Sequence, residues 1–101
     1  NSQFTIKNMI LEIVSPEATL FSGEVISVAV PGINGEFQML NNHAAIVSIL
    51  QKGNIKINAT NFNIDKANEG KFTKVNEQTY WLAINSGTIE MNNNKVIVLA
   101  D

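Results

Sequence analysis

His43 is the only imidazole in the chain, and there is no cysteine. A nucleophilic site needs a serine or thiol held by a positioned base. No Gly-x-Ser-x-Gly elbow surrounds any serine, and Ser86-Gly87 lacks the preceding glycine pattern. A metal centre needs several His, Cys or carboxylate groups to converge, and Asn41-Asn42-His43 offers one good ligand. Nine acids are present, but no spacing marks a general acid–base pair. Gly32, Gly35 and Glu36 suggest a phosphate cradle only until their context is read: no helix follows and no lysine stands beside them. Two glycines serving a hairpin are the better account. No catalytic residue, cofactor site or metal site is expected.

Binding chemistry is better represented. Tyr80 and Trp81 are the only Tyr and Trp, and they are adjacent. Neighbouring strand residues point to opposite faces, so one ring belongs to the core and the other to the surface. A buried Trp is the usual fate in a small sandwich, so Trp81 is expected inside. An exposed aromatic beside polar groups would instead suit a carbohydrate-binding module.

The elements that must position these groups are constrained by composition. The chain has 101 residues, one domain's worth. All seven basic residues are lysines, so no guanidinium fork is available for phosphate or carboxylate. A net charge of −2 and a pI near 5.3 argue against a nucleic-acid partner, which selects a basic face. No apolar run approaches the ~20 residues of a spanning helix. Asparagine occurs 15 times and suits tight turns and a neutral surface.

Hydrophobic periodicity is two almost throughout, the period of half-buried strands. Met9–Val14 opens as a strand ended by Ser15-Pro16; a helix start at Ser15-Pro16-Glu17 is rejected, since Thr19–Gly23 breaks it within one or two turns. Glu24–Val30 is a strand, Pro31-Gly32 fits a type II turn, and Asn34-Gly35 signals a hairpin returning as Glu36–Leu40. Ala44–Leu50 reads as strand, with helix as the rival. Asn54–Asn58, Phe62–Ile64, Lys71–Val75, Thr79–Asn85, Thr88–Met91 and Lys95–Ala100 follow, with Asp65–Gly70 as a polar turn. About ten short strands at ~8–12-residue spacing predict an all-β sandwich or barrel. Met9 looks like an initiator, and two readings of residues 1–8 stay open: a cloning remnant, or an extension of the first strand through Phe4 and Ile6. Residues 9–101 are read as the domain.

Four motifs, in order, carry a resemblance. They are Leu11-Glu12-Ile13-Val14-Ser15-Pro16-Glu17 with Phe21-Ser22-Gly23-Glu24-Val25; Val30-Pro31-Gly32-Ile33-Asn34-Gly35-Glu36-Phe37; Leu40-Asn41-Asn42-His43-Ala44; and Ile84-Asn85-Ser86-Gly87-Thr88-Ile89-Glu90-Met91, running on to Val96–Asp101. Together they resemble the N-terminal β-domain of the epsilon subunit of bacterial F-type ATP synthase, over Met9 to Asp101. The resemblance implies a flattened ten-stranded β-sandwich of two five-stranded sheets. It implies a non-catalytic rotor-stalk subunit that binds the gamma subunit and rests on the polar loops of the membrane c-ring. Location would be peripheral, on the cytoplasmic face of the bacterial inner membrane, coupling proton flow to ATP synthesis.

Residue by residue, the resemblance places His43, Asn41, Asn42, Ser15 and Ser48 on the gamma side. It places Gly32, Asn34, Gly35 and Glu36 at the c-ring. Three local departures stand out. Asn34 occupies a position where relatives often carry an acid, Ala45 replaces a proline, and Ser86-Gly87 stands for Gly-Gly. Many relatives continue beyond Leu-Ala-Asp into a helical hairpin that senses ATP. With the sequence ending at Asp101, no C-terminal helical domain and no ATP binding are expected of this chain.

Overall fold

A computed structural model describes residues 9–40 and 44–101. Ten strands form: β1 Met9–Val14, β2 Thr19–Val25, β3 Ser27–Gly32, β4 Gly35–Leu40, β5 Ile46–Leu50, β6 Gly53–Asn58, β7 Phe72–Asn76, β8 Thr79–Ile84, β9 Gly87–Asn92 and β10 Lys95–Ala100. One helical turn, α1 Lys66–Glu69, replaces the polar turn expected there.

Alternation decides what each strand buries. Met9, Leu11 and Ile13 of β1 point inward, as do Val96 and Val98 of β10 and Ile89 and Met91 of β9. Ile55 and Ile57 of β6 meet them with Val28 and Val30 of β3, Met39 of β4 and Leu82 of β8, making one contiguous core. β3 is buried at all six positions; strands flank it on both sides, and its outer residues Ser27 and Ala29 share a trough with Gln38, Lys56 and Trp81.

The strands run β2-β1-β10-β9-β5 in one half and β4-β3-β6-β8-β7 in the other. These are not two separate sheets, which corrects the expected arrangement. The Gly32–Leu50 pair joins β3 to β5, and Gln51 N–H donates to Pro31 O at 2.8 Å, so one hydrogen-bonded sheet of ten strands curls around the core. β5 and β6 both run antiparallel to β3 and are successive in the chain. They behave as one bent strand that passes between halves at Lys52-Gly53, the usual way a sandwich turns a corner. Gly53 is required there: a Cβ would lie 2.7 Å from Pro31 Cβ.

Three local expectations change. Thr19–Gly23, assigned to no strand from sequence, forms most of β2 by pairing with Val14 to Leu11 of β1 across a register shift between Ile13 and Val14, and the expected Glu24–Val30 strand is divided at Ile26 between β2 and β3. Pro31-Gly32 is not a turn; both belong to β3, and the two-residue loop is Ile33-Asn34, with Gly35 taking φ +119°. Phe62–Ile64 is not a strand. Phe62 and Ile64 pack on the core instead, Phe62 lying 4.2 Å from the Tyr80 ring and 6.2 Å from Phe21. This crossover and α1 cover the side of the sandwich between β2 and β7, where Asn68 Nδ2 donates to Thr19 O at 3.2 Å. At the last hairpin, Asn93 and Asn94 hold φ of 52° and 61°, the left-handed pair that a type I′ turn demands.

Candidate partner-binding surfaces

The outer face of the first half is built by β1, β10, β9 and β5. Register aligns Glu12, Ile97, Glu90 and Val47 in one cross-strand row and Val14, Leu99, Thr88 and Ile49 in the next. Such positions normally carry polar residues in a one-sided sheet. Here Val47 is 75% exposed, Ile49 60% and Leu99 54%. A groove of about 720 Å³ runs beside the second row, lined by Val14, Ser15, Pro16, Ile49, Thr88 and Leu99. Two acids interrupt the apolar rows, and Lys95 is the single base on these strands. The face is therefore apolar with a negative bias.

The β3–β4 hairpin makes the second surface. Ile33 at its tip is 58% exposed. Glu36 Oε1 pairs with Lys56 Nζ of β6 at 2.9 Å, and the same ammonium stands 4.6 Å from the centroid of Trp81 on β8. This reverses the expectation for the aromatic pair. Tyr80 packs against the core, whereas Trp81 is half-buried on the outer face beside Gln38, Lys56 and Asn58. The reason is register: Leu82 and Ile84 fix the inward set of β8 as the even-numbered residues, so Trp81 points outward. The Asn58 Oδ1 atom in this trough is buried without a hydrogen-bond partner.

The structure groups the named site residues differently from their chain order. Ser15 lies in the groove with Ile49; its Oγ bonds within its own turn to Ala18. Ser48, next to Ile49, faces the other way by strand alternation. It shares a 300 Å³ cleft with Gly32, Asn34, Gly35, Glu36 and Phe37. Ser48 is thus placed with the hairpin residues and apart from Ser15. Asn41, Asn42 and His43, and residues 1–8, lie outside the described residues. Sequence reading did not single out Val47, Ile49 and Leu99, which the structure exposes. The signal was present as strand parity, but only the partner strands fix which parity faces water.

Among the described residues no group of three His, Cys, Asp or Glu converges to hold a metal. Ser86 Oγ donates to Asp101 Oδ2 at 2.9 Å, tying the start of β9 to the end of β10.

The described residues form a curled all-β sandwich that exposes apolar side chains on the face of β5, β9 and β10 and at the tip of the β3–β4 hairpin. The chain belongs to the ATP synthase delta/epsilon chain family, whose beta-sandwich domain matches residues 8–101. The ATP synthase epsilon chain of Campylobacter curvus is 40% identical over 91 residues, which are 90% of this chain and 59% of that one. The epsilon chain of Chlorobaculum tepidum is 34% identical over 95 residues, covering 94% of this chain and 91% of that one. The chain thus spans less than two thirds of the Campylobacter relative and nearly all of the Chlorobaculum one. A chain in the Euglena gracilis mitochondrial ATP synthase structure, which comprises OSCP, F1 and c-ring, superposes with a TM-score of 0.72 at 18% identity. It is matched over 95% of this chain and 52% of that one, a likeness of fold. A Tetrahymena thermophila central stalk and c-ring structure gives 0.63 at 12% identity.

Proposed function

We propose that this chain is a central-stalk subunit of an F-type ATP synthase. It binds the gamma subunit and contacts the polar loops of the c-ring, peripheral to the membrane on its cytoplasmic face. The observation that carries the reading is the uncovered apolar face around Val47, Ile49 and Leu99. Contiguous exposed apolar residues mark interaction surfaces in soluble domains. No helix among the described residues is long and apolar enough to cross a membrane, so attachment through partners fits the chain.

In this reading the chain performs no bond chemistry, binds no cofactor and works as a rigid coupling. Its two halves serve as two packed layers. A close-packed core transmits strain instead of absorbing it. The hairpin is stiffened from the side: Glu36 is tied to Lys56, and Lys56 to Trp81, so a load at Ile33–Glu36 passes into β6 and β8. A pull-down with the cognate gamma subunit tests the assignment directly. Co-purification at a standard interface of ~1,600 Å² supports it, and failure to associate rejects it.

Glu36→Lys is expected to weaken c-ring coupling while leaving the isolated domain nearly as stable. The Glu36–Lys56 pair is half exposed, and such pairs contribute about 1 kcal/mol or less. Proton-pumping assays on the assembled enzyme, set beside a thermal melt of the domain, separate the two effects. A large drop in melting temperature would make Glu36 a structural residue instead.

Trp81 beside polar groups is what a carbohydrate-binding reading would ask for. The Lys56 ammonium already stands over the ring, so the platform is occupied from within.

A further inference from the structure

Ten strands in a curled sheet leave edges, and this molecule treats them unequally. The edge of β2 carries a register irregularity with β1 and is flanked by Thr60, Asn61 and Asn63, with Asn68 bonded to the Thr19 carbonyl. The edge strand β7 bears Lys74 and a register shift between Lys74 and Asn76. Lysines, irregularities and covering loops are the devices that stop an edge from pairing with another chain. Among the described residues β4 has none of them. Gly35-Glu36-Phe37-Gln38-Met39-Leu40 holds no Lys and no Pro, and its pairing with β3 runs in register from end to end. Among the described residues β4 pairs with β3 alone, and β5 on the facing side pairs beyond β9 only at Gly32–Leu50. Among the described residues the side of the sandwich between β4 and β5 is therefore open.

The hairpin register says which backbone groups are free there. A two-residue loop closed by Gly32 and Gly35 makes that pair hydrogen-bonded, and bonded pairs then alternate along the ladder. Phe37 and Met39 direct their N–H and C=O groups to β3, while Glu36, Gln38 and Leu40 direct theirs to the open side. Pro31, opposite Glu36, fits this phase, since that position donates nothing to β4.

We infer that this open side accepts an extended segment of the rotor partner as an added strand along β4. The inference rests on the stalk reading above and names how the partner is held. Backbone bonds to Glu36, Gln38 and Leu40 set the strand in place, the strand-addition mode of recognition. The cleft of Phe37, Ile46 and Ser48 receives its inward side chains. The one charge on Gly35–Leu40 and Ile46–Leu50, Glu36, is paired with Lys56, so the segment is uncharged where it crosses β4, with apolar residues on alternate positions. The site continues along β5 into the apolar face at Val47 and Ile49, so one partner covers both.

Residue-resolved hydrogen exchange on the domain, free and bound to the cognate gamma subunit, tests this. The amides of Glu36, Gln38 and Leu40 are expected to slow at least tenfold on binding; those of Phe37 and Met39 are protected in both states. Gln38→Pro, which removes one outward N–H at an edge position where proline is tolerated, is expected to reduce gamma affinity at least tenfold. Gln38→Ala should keep that affinity. Gamma binding with unchanged exchange at all three amides overturns the added strand and leaves the stalk reading intact. Absence of gamma binding by the unaltered domain overturns both.

Discussion

Gly87→Ala is expected to lower the melting temperature of the domain by about 10–20 °C. Gly87 opens β9 and is paired on both sides, with Ala100 of β10 and Leu50 of β5. A Cβ at this position would lie 2.5 Å from the Leu99 carbonyl oxygen and 3.4 Å from Ala100 Cα. These are backbone atoms of a strand held between β1 and β9, so no side chain can rotate away. Overpacking of this kind costs about 1–3 kcal/mol, and a rigid backbone neighbour puts the value near the upper end. For a chain of this length each kcal/mol moves the melting temperature by about 4–8 °C. Gly70→Ala is the matched control. Nothing lies within 4 Å of a Cβ there and φ is −69°, so the melt should hold or rise slightly. A loss below ~0.5 kcal/mol for Gly87→Ala in chemical denaturation would show that β9 and β10 do not approach as closely as described.

Ile49→Glu and Leu99→Glu should each weaken gamma binding by about 30-fold or more, with little effect on folding. The two side chains flank Thr88 in one cross-strand row, and both point to solvent. A charge in the centre of an apolar contact must be desolvated without a partner, and truncation or charge at such a position typically removes ~2 kcal/mol or more of binding. Exposed positions away from special backbone geometry usually change stability by about 0.5 kcal/mol. Titration calorimetry against gamma, with thermal melts alongside, reads both quantities. Unchanged affinity in both variants would move the gamma interface off this face. Intact binding by Ile49→Glu together with loss in Gln38→Pro would confine the contact to the β4 edge.

Much of the fold is legible in the chain because its signals are local. Period-two alternation, the β-branched runs and the Asn/Gly turns place the strands other than β2 and β3 within two residues; the expected Glu24–Val30 strand straddles those two. The errors also have local causes. Pro31-Gly32 has turn chemistry, yet β4 pairs with both residues, and the loop falls on Ile33-Asn34. Phe62–Ile64 alternates like a strand, yet it serves as a cover: the Phe62 ring reaches Tyr80 and Phe21 between the β2 and β7 edges. Asp65–Gly70 is polar in composition, but one turn of helix lets Asn68 cap the β2 edge. The site was less legible. The Asn34-Gly35 hairpin is readable from residue type, and Glu36 is given a role only through the resemblance; Val47, Ile49 and Leu99 are not singled out, because alternation alone does not say which parity faces water.

The sequence by itself determined that this is a small all-β domain of the epsilon type, without cysteine, arginine or a second histidine. Composition and two-residue periodicity are properties of the chain before it folds. Which apolar residues face water was decided only by the tertiary structure. A strand's parity is fixed by its neighbours, and the neighbours of β5 are β9, distant in sequence, and a single residue of β3. The same holds for the open β4 edge. An edge is a strand that lacks a second partner, and that lack is a feature of the whole sheet.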